Sequence, residues 1–187
     1  MATRLAIPVA AMAAVVVASN ILVQYPFAPL GLADFLTWGA FTYPFAFLVN
    51  DLTNRRFGPE AARRVAFVGF ALAVVLSAIF ATPRIAIASG TAFLTAQLID
   101  VRIFHHLRHG VWWRAPLASS LIGSAVDTAI FFTLAFAWSG VGTANYWGLV
   151  LPIWVAWAFF DFLVKALHAL AMLAPFRVIS RSFATAR

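Results

Sequence analysis

Apolar residues run along this chain in six long blocks separated by short links. The blocks are 5–23, 35–50, 65–81, 85–104, 116–137 and 146–170. Each approaches the ~20 residues that an α-helix needs to cross ~30 Å of hydrocarbon. The pattern predicts an all-α integral membrane protein, a single domain over 1–187 with six transmembrane helices. The links carry turn residues: Pro26, Pro29 and Gly31 after the first block, Gly58-Pro59 after the second, and Pro83 after the third. Glu60, four residues ahead of Arg64, is placed to open the third helix with an i,i+4 pair. The first block follows Arg4 and ends in small residues, as a secretory signal does, but the five blocks behind it argue for an uncleaved helix. The tail after Pro175 is polar and basic and is expected to fray.

Composition supports the membrane reading. The chain is 64% hydrophobic and 10% charged, with a mean hydropathy of +0.93. Soluble domains lie nearer ~50% and ~25%. So much apolar surface has no core of this size to hide in, and it must face lipid. There is no cysteine, hence no disulfide and no thiolate chemistry. The net charge of +7 is a matter of position. Alternating sides from an inner N-terminus, Arg4, Arg55, Arg56, Arg63, Arg64, Arg102, Arg108, Arg114, Lys165, Arg177, Arg181 and Arg187 fall inside, and Arg84 alone falls outside. Twelve against one is a positive-inside signal that puts both termini in the cytoplasm. The cations serve topology and lipid headgroups, and a nucleic-acid partner is discounted. Trp112, Trp113, Trp138, Tyr146 and Trp147 fall at interfaces, where amphipathic rings settle.

The polar residues inside the blocks carry the candidate chemistry. The second, fourth and sixth helices run inward, and each has an aspartate near its inner end: Asp51, Asp100 and Asp161. A carboxylate at a helix C-terminus meets the negative end of the dipole and seeks a cation. Asp51–Arg55 and Asp161–Lys165 stand at i,i+4 and read as structural clamps or a cytoplasmic gate. Asp100 has Arg102 on a different face, so its partner must come from another helix. Asp127 lies about 16 Å along from Pro116, near the midplane. Unpaired acids at such depth are functional candidates. Phe93, Gln97, Asp100 and Phe104 form one helical stripe, and Ser120, Ser124, Asp127 and Phe131 form another. Facing each other, the two stripes would enclose a polar pocket with aromatic walls, suited to a planar heterocycle bearing several hydrogen-bond donors. For Ser120 and Ser124 interhelical hydrogen-bond glue is the favoured reading. Asn20 and Gln24 share one face of the first helix. His105 and His109 have metal-ligand spacing, but they sit among arginines with no carboxylate, so no metal is expected. No cofactor motif and no nucleophile–base pair is seen, and nothing supports an enzyme.

The stretches SNILVQYP (19–26), TWGAFTYPFAFLVNDLTNRRFG (37–58), RIAIAS (84–89), AQLIDVRIFHHLR (96–108), WWRAPLASSLIGSAVDTAIFF (112–132) and DFLVK (161–165) resemble the queuosine precursor transporter (VUT) family. They fall in every block but the third. The link at 82–84 is shorter than relatives can carry. The resemblance implies a multi-pass protein of the bacterial inner membrane that imports deazaguanine bases for tRNA modification: cyano- or aminomethyl-deazaguanine, or queuine. It also implies a bundle like the six-helix substrate-binding subunits of energy-coupling-factor transporters. By motif position the substrate-binding residues would be Asn20, Gln24, Gln97, Asp100 and Asp127, with Trp38 and Phe41 stacking. Expected partners are the purine-like base and the lipid bilayer, and a homodimer is an allowed oligomeric state. Two rival readings stand beside this one. A capture subunit of an ATP-driven transporter would need a partner and a docking patch such as 10–14 or 166–171. A structural membrane protein would bind no ligand.

Overall fold

The computed structural model describes residues 2–146 and 148–185, so Trp147 and Arg187 lie outside the described residues. The chain forms α1 (Ala6–Leu22), α2 (Gly39–Thr42), α3 (Phe45–Phe57), α4 (Pro59–Phe80), α5 (Pro83–Leu107), α6 (Arg114–Phe136), a hairpin of β1 (Thr143–Tyr146) and β2 (Leu149–Pro152), α7 (Ile153–Ala171) and α8 (Leu173–Thr185). Four segments are long and apolar enough to cross a membrane: α4, α5, α6 and Ile153–Phe183 across α7 and α8. α1, at 17 residues, is shorter. Large apolar side chains such as Ile7, Phe67, Ile79, Ile87 and Phe159 point outward from the bundle. Such a surface is stable only in lipid, and the protein is a helical membrane protein.

Local chemistry sets the helix ends. Pro83 occupies the first turn of α5, where its missing N–H costs nothing, and Thr82 Oγ1 accepts from Ile85 N at 3.4 Å as the N-cap. Gly58 at φ +88° lets the chain reverse between α3 and α4, and Pro59 starts α4. Glu60 pairs with Arg63, three residues on, rather than with Arg64. The block 35–50 is not one helix. Pro44 has no N–H to donate, so the chain breaks into α2 and α3, and α3 continues to Phe57. The block 146–170 also differs. Its first residues form the hairpin, with Tyr146 opposite Leu149 and Gly148 at φ +89° in the turn, and helix starts at Ile153. The tail expected to fray is helix α8, with Phe176 packed on Phe104 and Ala115. Arg177 lies 4.5 Å over Trp112 and Arg56 lies 4.6 Å over Phe183, as suits an amphipathic helix at a lipid interface.

α5 and α6 pack most extensively, and α3 lies across both. Small residues make this close approach feasible. A Cβ on Gly123 of α6 would fall 2.7 Å from the Phe47 ring of α3, and Phe47 is 2% exposed. Met12, Val16, Ala46, Val65, Ala73 and Phe93 knit α1, α3, α4 and α5 together.

The Gly123 contact generates a prediction. Gly123→Ala should destabilise the protein by about 1–3 kcal/mol, the cost of overpacking a filled site. Gly142→Ala, whose Cβ would meet only Ile153 Cδ1 at 4.0 Å, should be near neutral. Thermal unfolding in detergent compares the two, and equal midpoints would show that the Phe47–Gly123 contact is not tight.

Candidate functional site

A cavity of about 530 Å³ opens within the half of the bundle away from the arginine-rich end. Pockets for small ligands fall in the same size range, roughly 300–1,000 Å³. α1, α4, α5, α6 and α7 supply its sides, and the 33–37 loop covers it. Trp157 Nε1 donates to the Asp34 carbonyl at 2.8 Å and ties that loop to α7. Phe35, Phe93, Phe131, Phe132, Phe136 and Trp157 give the cavity aromatic walls.

Its floor is ionic. Lys165 Nζ donates to Asp127 Oδ2 at 2.7 Å and to Asp161 Oδ2 at 2.5 Å. It also reaches Thr128 Oγ1 at 3.2 Å, and Thr128 donates to Asp161 Oδ2 at 2.7 Å. The Tyr43 hydroxyl donates to Asp127 Oδ1 at 2.6 Å, and Lys165 sits 5.1 Å over the Tyr43 ring. The side chains of Lys165, Asp127 and Asp161 are 5%, 7% and 14% exposed. Two carboxylates around one ammonium leave one negative charge in excess. Asp161 Oδ1 takes no hydrogen bond among the described residues, so an acceptor remains free beside the cavity. Charges this deep persist only when each is paired. The arrangement can accept hydrogen bonds from a donor-rich ligand edge and stack a flat ring between aromatic walls.

The structure disperses the residues predicted from sequence. Asp127 and Asn20 line the cavity. Asn20 also joins helices: Nδ2 donates to the Val16 carbonyl at 2.9 Å, and Oδ1 accepts from Ser77 Oγ at 3.1 Å. Gln24 is exposed, donating to the Asn20 carbonyl at 3.2 Å. Trp38 and Phe41 pack on Phe27, with centroids 4.7 and 4.5 Å away, and do not line the cavity. Gln97 and Asp100 are fully buried in the other half of the bundle. Neither lines the cavity, whereas Phe93, one turn before Gln97 on the same helix, does, and Tyr43 packs 6.0 Å from Phe93 and 6.2 Å from Phe47. The two polar stripes therefore do not enclose one pocket. The Asp51–Arg55 pair is not formed. Arg55 Nη1 donates to the Arg108 carbonyl at 2.5 Å, and Asp51 accepts from Ser119 at 3.1 Å and Ser120 at 3.4 Å. Asp161–Lys165 is formed, but in the cavity floor rather than at the arginine-rich end. Tyr43 and Thr128 escaped the sequence reading because nothing local marks a tyrosine or threonine as the partner of an acid on another helix.

This is a helical membrane protein with a ligand-sized cavity between its helices, the architecture of a small-molecule carrier. The family described as "Putative vitamin uptake transporter" matches residues 37–82 and 77–179. A queuosine precursor transporter of Escherichia coli is 35% identical over 182 residues, covering 86% of this chain and 79% of the relative. A "Probable queuosine precursor transporter" of Haemophilus influenzae is 35% identical with the same coverage, and one of Bacillus subtilis is 24% identical over 59% of this chain and 60% of the relative. No solved structure matches the chain. The chain belongs to the queuosine precursor transporter (VUT) family, and it is a transporter, not an enzyme.

The floor yields a stability prediction. Lys165→Met leaves two buried carboxylates without a cation and should cost about 3–5 kcal/mol. Tyr43→Phe removes one hydrogen bond to a charged group and should cost about 1.5–3 kcal/mol. Unfolding midpoints in detergent give the comparison, and a Lys165→Met protein at least as stable as Tyr43→Phe would contradict the ion-pair assignment.

Proposed function

We propose that the protein carries queuosine precursor bases across a bacterial inner membrane, and that the base sits in the aromatic cavity above the Asp127–Lys165–Asp161 floor. The single observation that carries this reading is the excess carboxylate held in that floor. A deazaguanine presents a ring N–H beside an exocyclic amine. One carboxylate accepts both in parallel, as it does from a guanidinium. The aromatic walls add stacking worth ~1–3 kcal/mol in nucleic-acid analogues. Cyano- and aminomethyl-deazaguanine and queuine share this donor edge. The names of the relatives support the same cargo.

The chain crosses the membrane six times with both termini inside, α1 and the broken α2–α3 segment completing the set. Non-helical backbone is tolerated at membrane depth only where it borders a cavity or protein. Tyr43 sits at the break and touches Asp127, so on this reading the break borders the base, as broken helices do in other carriers. Asn20, Asp127 and Asp161 contact the base on this reading. Gln97 and Asp100 act below it, in the inner half.

A cell assay tests the proposal. The chain is expressed in a bacterium that neither makes nor imports queuosine precursors, each base is supplied at low concentration, and queuosine in tRNA is scored by boronate gel shift. The wild-type chain should restore the shift with at least one base. Asp127→Asn should lower uptake about 10- to 150-fold, the equivalent of one hydrogen bond to a charged group, while Gln24→Ala should not. A membrane-inserted wild-type chain that restores no shift with any base would overturn the reading.

A further inference from the structure

A second void lies below the ionic floor. Its volume is about 10 Å³, room for about one water. Lys165 lines this void as well as the cavity above it. The polar stripe of α6 runs past both: Asp127 lines the cavity, and Ser124 and Ser120, one and two turns earlier, line the void. Asp51 of α3 also lines it, and its two carboxylate oxygens accept from Ser119 at 3.1 Å and from Ser120 at 3.4 Å. The two compartments hold the same parts. Each has a buried carboxylate, hydroxyls and aromatic rings, with Asp127 and Phe131 above, Asp51 and Phe47 below, and Lys165 between them.

Ser124 is 1% exposed, yet its Oγ has no hydrogen-bond partner among the described residues, and neither has His168 Nε2 on the facing helix. Both residues line the void. Buried polar atoms are almost always satisfied, so two unpartnered ones around a single void point to a polar ligand in another conformation of the bundle. The wall that has to move is α7. Among the described residues of α7, only Lys165 and Ala169 are buried, and both line the void. Drawing α7 back therefore exposes little other buried surface. The helix ends at Met172, and α3 opposite starts after Pro44; both of these residues line the void too. Each wall thus ends in a break of the helix at the void itself. The ion group also divides along this line. The Lys165–Asp161 pair lies within α7 and moves with it, while Asp127 on α6 keeps the Tyr43 hydroxyl.

We propose that this void is a second, inward-facing station for the base, collapsed in the present conformation. As α7 moves away from α3 and α6, Lys165 leaves Asp127 and the base passes along the α6 stripe from Asp127 to Asp51. Asp51 then accepts the donor edge that the floor held before, since each of its oxygens has a lone pair beyond the one its serine uses. The unpartnered Ser124 and His168 atoms hydrogen-bond the rest of the ring, and Phe47 offers a face for stacking. Ser120 and Ser124 are on this account part of the path and more than glue between helices.

The inference rests on the carrier reading, and its test separates the two. Cyano-deazaguanine, aminomethyl-deazaguanine and queuine are the probes. Binding to the purified wild-type protein in detergent tests the carrier reading alone, and binding of none of them would overturn that reading and this inference together. The chain has no cysteine, so Ser124→Cys and Ala169→Cys, on facing walls, each put one thiol on the void. In inverted membrane vesicles a membrane-impermeant maleimide should label both thiols from the arginine-rich face, and a bound base should slow the labelling. Asp51→Asn should lower the maximal transport rate about 10- to 150-fold more than it lowers binding in detergent, the equivalent of one hydrogen bond to a charged group. A residue that only packs helices predicts thiols out of reach of the reagent and equal losses of binding and transport. Three results would overturn the proposal while base binding stands: thiols at both positions that stay unlabelled, labelling equally fast with and without base, or an Asp51→Asn protein that transports like wild type.

Discussion

Lys165 is the residue around which this bundle is organised. An ammonium inside an apolar bundle is tolerated only with its donors occupied. Lys165 meets that demand by drawing Asp127 from α6 and Asp161 from its own helix to within 2.7 and 2.5 Å. Thr128 and Tyr43 then satisfy oxygens that the ammonium leaves. Four side chains around one cation fix how α6, α7 and the α2–α3 break meet, and they do so at the bottom of the ligand-sized cavity. The excess negative charge left over is what a donor-rich ligand can meet. On the proposed reading, structure and binding depend on the same ion group.

Above and below that group the bundle has different chemistry. The cavity above is aromatic and large enough for a small ring system. Below it, Phe47 fills the space that Gly123 leaves open, and carboxyls, amides and hydroxyls crowd behind the ring with little room for anything but water. α3 carries Phe47, Asn50 and Asp51, and so belongs to both halves. Its N-terminal end is broken at Pro44, beside the residue that touches the cavity floor. A helix broken there can tilt without unfolding its lower turns.

Much of the helix pattern was legible in the sequence, because lipid imposes long apolar runs and because Pro59 and Pro83 mark helix starts by their own chemistry. The break at Pro44 was legible in principle, but the apolar run across it hid the change. The 143–152 hairpin was hidden because its apolar strand continues the hydropathy of α7. Part of the site could be read as well: Asp127 stood out as an acid near the midplane, and Asp161–Lys165 stood out by spacing. What could not be read was which acid meets which cation. Asp51–Arg55 and Asp161–Lys165 have identical spacing, yet only the second pair forms: Arg55 lies on an exposed face and donates to the Arg108 carbonyl, while Asp51 is buried and takes Ser119 and Ser120. Gln97 and Asp100 were placed beside Asp127 by helical periodicity, which gives a face but not a depth. Asp127 lines the cavity, and Gln97 and Asp100 do not.

The central claim is that the base occupies the cavity above Lys165. The chain has no cysteine, so a single Ser89→Cys substitution in the cavity wall gives one reportable thiol. The rate of maleimide labelling in membranes, with and without a deazaguanine base, tests the claim directly. The account predicts that a transported base slows labelling at Cys-substituted position 89 and that guanidinium ion or an unrelated nucleoside does not. Labelling unchanged by a base that the same variant demonstrably imports would place the substrate elsewhere and contradict the account.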